Sequence, residues 1–182
     1  MKTITDFVEL YGLTIQEFTE ALRLDEKTYK DLRRDAPNYL NIRQKSDNGP
    51  GLEKYLGIEE DTVTFECNSY TTPGVRYQQS IRLVDLPKLI QTQRGVKRPI
   101  DIVRAAIQGN LEVHCTDPSW LYWGFKYIGT RDKYSIEKEP RYPKVRNPEL
   151  KGSVCKHLDA ALYVLPFWAP EITGDLKKQK RL

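Results

Sequence analysis

The chain has 182 residues, of which 39% are hydrophobic and 30% charged, a composition typical of a globular protein and not of a disordered or fibrous one. Its apolar runs fall well short of the roughly 18 residues that a membrane helix needs, so no membrane association is expected. The first residues lack the basic start and apolar stretch of a signal peptide. Together with the odd number of cysteines, three, this indicates a reducing compartment and favours metal binding or simple burial over a disulfide framework.

Charge is divided unevenly along the chain. Residues 1–61 contain 9 Lys/Arg against 13 Asp/Glu, a net charge of −4, whereas residues 62–182 contain 20 against 12, a net charge of +8. A basic half of this kind favours a polyanion or an acidic protein neighbour as partner without choosing between them.

Residues 1–43 are predicted to form a helical segment. Thr14 and Glu17 have the spacing of a capping box, in which both side chains accept hydrogen bonds from free backbone N–H groups at the start of a helix. Three short helices that end before Pro37 resemble a helix-turn-helix arrangement. The polar residues 44–51, which include two glycines and a proline, are predicted to be a linker.

The remainder is predicted to be an α+β domain over residues 52–170, followed by a basic tail at 171–182. Alternating apolar and polar residues predict strands at 62–67, 75–84 and 111–115. Pro99 begins a predicted helix, because the apolar residues after it recur at helical spacing. The expected fold class is α+β: a helix-turn-helix-like N-terminal segment, a small mixed sheet with helices, and a zinc-knuckle-like C-terminal module.

Two pairs of potential metal ligands lie in the second half of the chain. Cys155 and His157 directly precede an apolar stretch with helical spacing, and a helix N-terminus favours an anionic thiolate. Cys115 and Asp117 are also two residues apart, at the end of a predicted strand whose alternate side chains point to one face. We therefore predict a zinc site with the four ligands Cys115, Asp117, Cys155 and His157. His114 is an alternative fourth ligand if a tight turn breaks the alternation.

A second interpretation of these residues needs no metal. Cys115 and Cys155 would then be small buried apolar residues, and the knuckle would keep its fold through packing after losing zinc. Asp117 is the least suitable of the four predicted zinc ligands, because structural zinc prefers sulfur and nitrogen.

The order of these motifs resembles the zinc-binding module called SWIM. Residues 115–120, Cys-Thr-Asp-Pro-Ser-Trp, match its first half, with Asp117 where the family has its second cysteine. Asn147, Pro148 and residues 154–158, Val-Cys-Lys-His-Leu, match its second half. The long aromatic and basic insert between the halves makes the pattern similar to a version in virion structural proteins of tailed bacteriophages, and the resemblance covers roughly residues 75–167.

This resemblance implies a non-enzymatic structural component of a tailed-phage virion, in the neck, portal-ring or tail region. It also implies that zinc is the cofactor and that the chain forms a homo-oligomeric ring. Its partners would be other virion proteins, and it would be assembled into the virion in the host cytoplasm. The residues agree with a non-enzymatic role, because the sequence shows no glycine-rich phosphate loop after a strand, nucleophile elbow or supported acidic pair.

The insert leaves two other function classes open. Five aromatic residues fall within positions 120–127, near Lys126, Arg131 and Lys133. They could pack around the knuckle, which we favour, or present a base-stacking surface with phosphate-binding cations. The alternatives to a virion component are a nucleic-acid-binding regulator, with DNA contact through the basic C-terminal half, and a small adaptor that binds one host protein.

Overall fold

The computed structural model describes residues 54–69 and 72–182. The predicted helix-turn-helix-like segment at 1–43 and the predicted linker at 44–51 lie outside the described residues. The described part is α+β, with a four-stranded sheet and several helices. None of its helices combines the length and apolar character that a membrane crossing requires.

The elements follow one another in a simple order. The strands are β1 (Lys54–Glu59), β2 (Thr62–Asn68), β3 (Arg76–Leu83) and β4 (Leu111–Cys115). Helices α1 (Leu86–Gln93) and α2 (Pro99–Ile107) lie between β3 and β4, whereas α3 (Pro118–Tyr122) and α4 (Phe125–Arg131) follow β4. A long connection leads to α5 (Lys156–Val164), a 3₁₀ turn (Leu165–Trp168) and α6 (Ala169–Lys178).

The four strands pair antiparallel, in the order β1-β2-β3-β4. The prediction of a mixed sheet is therefore wrong. The reason lies in the connection between β3 and β4. Helices α1 and α2 pack against each other and return the chain to the end of the sheet from which it left. The backbone N–H of Val84 there donates to the carbonyl of Asn110, 3.0 Å away. The three predicted strands and the helix that begins at Pro99 are confirmed.

One face of the sheet forms the core. Phe65 on β2, Ile81 on β3 and Val113 on β4 are fully buried on this face. Helix α5 packs on β3 and β4, while α6 packs on β1 and α2. The alternate residues face the other way and are polar, for example Arg82 and Glu112, which form an ion pair at 2.7 Å. This division of apolar and polar residues is the normal consequence of the two-residue period of a strand.

The packed chain extends beyond the predicted domain boundary at residue 170. Within α6, Ile172 and Leu176 are fully buried, and the Tyr55 hydroxyl of β1 donates to Asp175 at 2.9 Å. Lys177 and Lys178 occupy the last turn of α6, where positive charge is favoured by the helix dipole. Most of the residues predicted to be a basic tail therefore belong to a core helix.

The connection after α4 is tied to the edge of the sheet. The backbone N–H of Val113 donates to the carbonyl of Tyr134 at 2.7 Å, and the N–H of Ile136 donates back to Val113 at 3.1 Å. The Tyr134 hydroxyl then donates to the carbonyl of Ser153 at 2.8 Å. These bonds hold the segment just before Cys155 close to β4.

Gly124 lies where this connection passes close to the helices before it. Its φ is +72°, and an added Cβ would lie 2.3 Å from Cγ of Pro143. Only glycine fits this position, because the backbone is left-handed and the space is already filled.

We expect Gly124→Ala to destabilise the protein by more than Gly95→Ala. Gly95 has a similar φ of +79° but open space around it, so alanine there should cost only the left-handed strain of about 1–2 kcal/mol. The clash with Pro143 should add about 1–3 kcal/mol in Gly124→Ala. Urea unfolding of both variants measures the two losses in unfolding free energy. Equal losses would show that Pro143 does not press on Gly124.

Candidate metal centre

The residues predicted as metal ligands meet where β4 ends and α5 begins. Cys115 is the last residue of β4, Asp117 precedes α3, and Cys155 and His157 stand at the start of α5. The sulfur atoms of Cys115 and Cys155 and a ring nitrogen of His157 all lie within 4.8 Å of one another. These three side chains are only 1–2% exposed. The structure therefore contains a buried group that could hold a metal ion.

Asp117 contacts this group through His157. Its Oδ2 lies 2.7 Å from Nδ1 of His157. The carboxylate also accepts hydrogen bonds from the backbone N–H of Ser119 at 2.9 Å and from the Ser119 hydroxyl at 2.7 Å. Asp117 thus caps α3, because an aspartate directly before a helix can accept from the free N–H groups of its first turn.

Hydrogen-bond donors surround the two sulfur atoms. The backbone N–H of Asp117 donates to Cys115 at 3.4 Å, and the side-chain amide of Gln79 lies 3.9 Å from the same sulfur. The backbone N–H of Leu158 donates to Cys155 and favours its anionic form. N–H groups directed at sulfur stabilise a thiolate, which is the form that binds metals.

The two thiols differ in their readiness to ionise. The hydrogen bond from Cys155 is the main cause that lowers the pKa of Cys115 to about 5, and His157 acts in the same direction, whereas burial opposes both. Burial raises the pKa of Cys155 well above its usual value, and the neighbouring Cys115 adds to that effect. The pair therefore favours the thiolate form at Cys115 and the thiol form at Cys155, and a bound cation would favour the thiolate form of both.

His157 and Asp117 form a charge-assisted pair. Burial by itself lowers the pKa of His157, but its hydrogen bonds to Asp117 and Cys115 outweigh burial, and the net pKa is raised. Burial likewise raises the pKa of Asp117, yet hydrogen bonds from His157 and Ser119 bring it down to about 2. The carboxylate is therefore ionised throughout the physiological range.

The sequence did not predict three residues around the site, namely Cys67, Tyr77 and Gln79. Gln79 is fully buried and its side-chain amide donates to the sulfur of Cys67 at 3.3 Å and to the carbonyl of Tyr77 at 3.0 Å. The ring of Tyr77 lies 5.1 Å from that of His157. A signal existed, because Gln79 shares the alternation of Ile81 on β3, and a polar residue on the apolar face of a strand needs a buried partner.

His114 lies on the opposite side of β4 from Cys115. Its Nδ1 is 3.7 Å from the carboxylate of Glu137, and the residue is partly exposed. The turn after β4 does not redirect this side chain toward the cysteines, so the structure does not bring the alternative fourth ligand into the group.

The aromatic cluster of the insert is divided between core and surface. Trp120 is buried, and Phe125 and Tyr127 pack against the core. Tyr122 and Trp123 are exposed by 64% and 46%. Two of the cations of the alternative base-stacking surface are paired with acids, Lys126 with Glu137 and Arg131 with Asp132.

Comparisons of the chain with protein-family models, with curated proteins and with solved structures found no match. The likeness to a SWIM module in phage virion proteins therefore stays a prediction from the sequence motifs.

We expect Asp117 to stabilise the metal-free protein in a pH-dependent way. Its pKa is about 2 in the folded chain, against about 3.9 for an unfolded aspartate. A lowered folded-state pKa stabilises the fold above the unfolded value, and this stabilisation is lost as the pH falls through the folded value. The free-energy difference between wild type and Asp117→Asn should thus be largest near pH 5 and shrink between pH 4 and pH 2.

Urea unfolding of the metal-free proteins at several acid pH values measures that difference. A difference that does not change over this range would mean that the carboxylate and His157 are not coupled.

Proposed function

We propose that residues 54–182 form a module stabilised by a structural zinc ion, and that the chain is a non-enzymatic assembly component of a tailed-phage virion. The observation that carries the metal proposal is the buried group of two thiols and one imidazole within 4.8 Å. The sequence resemblance supplies the virion setting.

The donor set suits zinc better than other common cations. Zinc binds thiolate sulfur at about 2.3 Å and imidazole nitrogen at about 2.0–2.1 Å, so its ligands lie within about 4 Å of one another. Small movements of Cys115, Cys155 and His157 would reach that geometry. Calcium and magnesium prefer oxygen ligands, which this group lacks.

A zinc ion here would close a long loop. The two cysteines enclose 39 residues of chain, and joining the ends of such a loop costs entropy that a metal bond can offset. The metal would thus hold the end of β4 against the start of α5.

The same donors are less suited to nucleophilic catalysis. Cys115, His157 and Asp117 have the residue types of a cysteine-histidine-acid triad, and the lowered pKa of Cys115 agrees with an activated thiol. A substrate would have to reach the sulfur, however, and Cys115 is only 2% exposed. Burial therefore favours a structural metal over a reacting thiol.

Support for an assembly role comes from apolar side chains that face solvent on the insert. Tyr122, Trp123, Tyr142 and Val145 are exposed by 64%, 46%, 43% and 89%. We call these four residues, three aromatic side chains and one valine, the aromatic patch. Large aromatic residues are enriched in protein interfaces and carry much of their binding energy.

Polar contacts fix the backbone at or beside two residues of the aromatic patch, Trp123 and Tyr142. The side-chain amide of Asn147 donates to the carbonyls of Trp123 at 3.0 Å and Lys151 at 2.8 Å. Arg141 binds both carboxylate oxygens of the buried Glu139, at 2.8 and 2.7 Å. A surface ordered in advance loses less entropy when a partner binds.

Charge gives a reason for contact between copies of the chain. Lys144 and Arg146 flank Val145, and within the described residues neither forms an ion pair. Residues 1–61 carry a net charge of −4. The basic insert of one copy could therefore meet the acidic front of the next, and repetition of such a head-to-tail contact gives a ring if the rotation closes.

The purified chain should contain about one zinc ion, and a chelator should lower its melting temperature, because a ligand bound only by the folded state stabilises that state. Cys155→Ser should lose the zinc and reproduce the lower melting temperature. Cys67→Ser is the matched control: Cys67 is also buried but is not part of the group of three, so its zinc content should not change.

Elemental analysis and thermal unfolding measure these effects. Protein purified without chelator that contains no zinc would instead support the metal-free knuckle, in which Cys155→Ser costs only about 1–3 kcal/mol.

The chain should self-associate, and Val145→Glu should reduce this, because a carboxylate in the basic segment would repel the acidic residues 1–61 of the neighbouring copy. Val96 is 82% exposed and lies outside the aromatic patch, so Val96→Glu is the control and should assemble like wild type. Mass measurement in solution and electron microscopy would detect the oligomer, with zinc content as a check that both variants fold.

A strictly monomeric wild type would contradict assembly by self-association. Absence of the chain from purified phage particles, tested by mass spectrometry, would overturn the virion proposal. Salt-sensitive binding of duplex DNA that Lys144→Glu weakens and that Val96→Glu leaves intact would favour the nucleic-acid alternative.

A further inference from the structure

The number of available ligands limits the coordination of the proposed zinc centre. The whole chain contains three cysteines and two histidines. Cys67 lies beside Gln79, and His114 lies beside Glu137 on the other side of β4. Neither belongs to the group within 4.8 Å. All five of these residues lie in the described part of the chain, and only three of them are in place to bind the ion.

Asp117, the predicted fourth ligand, is committed to other partners. Oδ2 lies 2.7 Å from Nδ1 of His157 and accepts from the Ser119 hydroxyl at 2.7 Å, while Oδ1 accepts from the Ser119 N–H at 2.9 Å. The residue is 8% exposed and, among the described residues, is not part of the group that could hold the ion.

The position of Asp117 determines which nitrogen of His157 is left for a metal. The two nitrogens of an imidazole point away from each other, and the one bound to a carboxylate carries the proton. With Nδ1 held by Asp117, the lone pair that can bind zinc is on Nε2. A zinc ion on Nε2 would lie on the opposite side of the ring from Asp117, because Nδ1 and not Nε2 faces the carboxylate.

We infer that this chain supplies three ligands to the zinc centre, Cys115, Cys155 and Nε2 of His157, and that Asp117 is a positioning residue which orients His157 and does not bind the ion. This inference rests on the proposed zinc centre and specifies its coordination. A carboxylate that accepts from the non-ligating N–H of a metal-bound histidine fixes the tautomer and the ring orientation and makes the ligand more basic.

Nitrogen NMR of the full chain loaded with Zn²⁺ tests the inference directly. Long-range ¹H–¹⁵N correlations of the imidazole rings should show His157 protonated at Nδ1 and metal-bound at Nε2, and His114→Gln assigns the two ring systems. A zinc ion on Nδ1 would overturn the inference but leave the proposed function standing. A wild-type chain that binds no zinc would remove both.

Substitution of Asp117 gives a second, independent measurement. Asp117→Asn should still bind one Zn²⁺ per chain, with an affinity lower by about 10–100-fold. Ser119→Ala removes one of the bonds that hold Asp117 and should have the same effect to a smaller extent. Asp85→Asn is the matched control, because Asp85 also holds a turn, through Asn110, but has no bond to the group of three. Unchanged zinc affinity in both Asp117→Asn and Ser119→Ala would overturn the inference.

Asp117→Cys tests whether the side chain at position 117 binds the metal or only positions His157. In the Co²⁺-loaded protein the thiolate-to-metal absorption should keep the intensity of two thiolates, as in wild type, and the affinity should fall as it does in Asp117→Asn. An intensity that corresponds to three thiolates, with tighter binding, would show that position 117 reaches the metal and would overturn the inference.

Discussion

The contact between the end of β4 and the start of α5 is the constraint on which the rest of this structure depends. It places two thiols, an imidazole and a carboxylate in the interior, where unpaired polar groups are costly. The carboxylate is satisfied by His157 and Ser119, and the sulfur of Cys115 by N–H groups. Because these partners come from separate parts of the chain, the cluster can form only when the surrounding elements have reached their places.

Asp117 links this cluster to the surface of the insert. Its carboxylate holds His157 on one side and begins α3 on the other. Helix α3 ends at Tyr122, and Trp123 follows it. The buried cluster and the exposed Trp123 are therefore connected through one short helix. This connection gives a physical reason for a proposed metal centre and a proposed contact surface to occur in the same small module.

The connection between α4 and α5 is stabilised by buried polar contacts. Asn147, Glu139 and Tyr134 are buried there, and each bonds to backbone or to a neighbouring charged group. Such contacts fix a loop in one conformation, since each leaves an unsatisfied polar group if broken. They also leave the apolar side chains of the aromatic patch free to face outward. A connection without a strand or helix can in this way present a defined surface.

The sequence by itself determined the α+β class, three of the four strands, the helix at Pro99 and the pairing of Cys115 with Cys155 and His157. Each of these depends on local periodicity or spacing, which short stretches of chain carry. The tertiary structure decided the rest. Gln79 contacts the sulfur atoms of Cys67 and Cys115 only because β3 lies between β2 and β4. Helix α6 is a core helix only because β1 and α2 cover its apolar side. The position of Asp117 against Nδ1 of His157 depends on two segments far apart in sequence, and no local pattern specifies how their side chains meet.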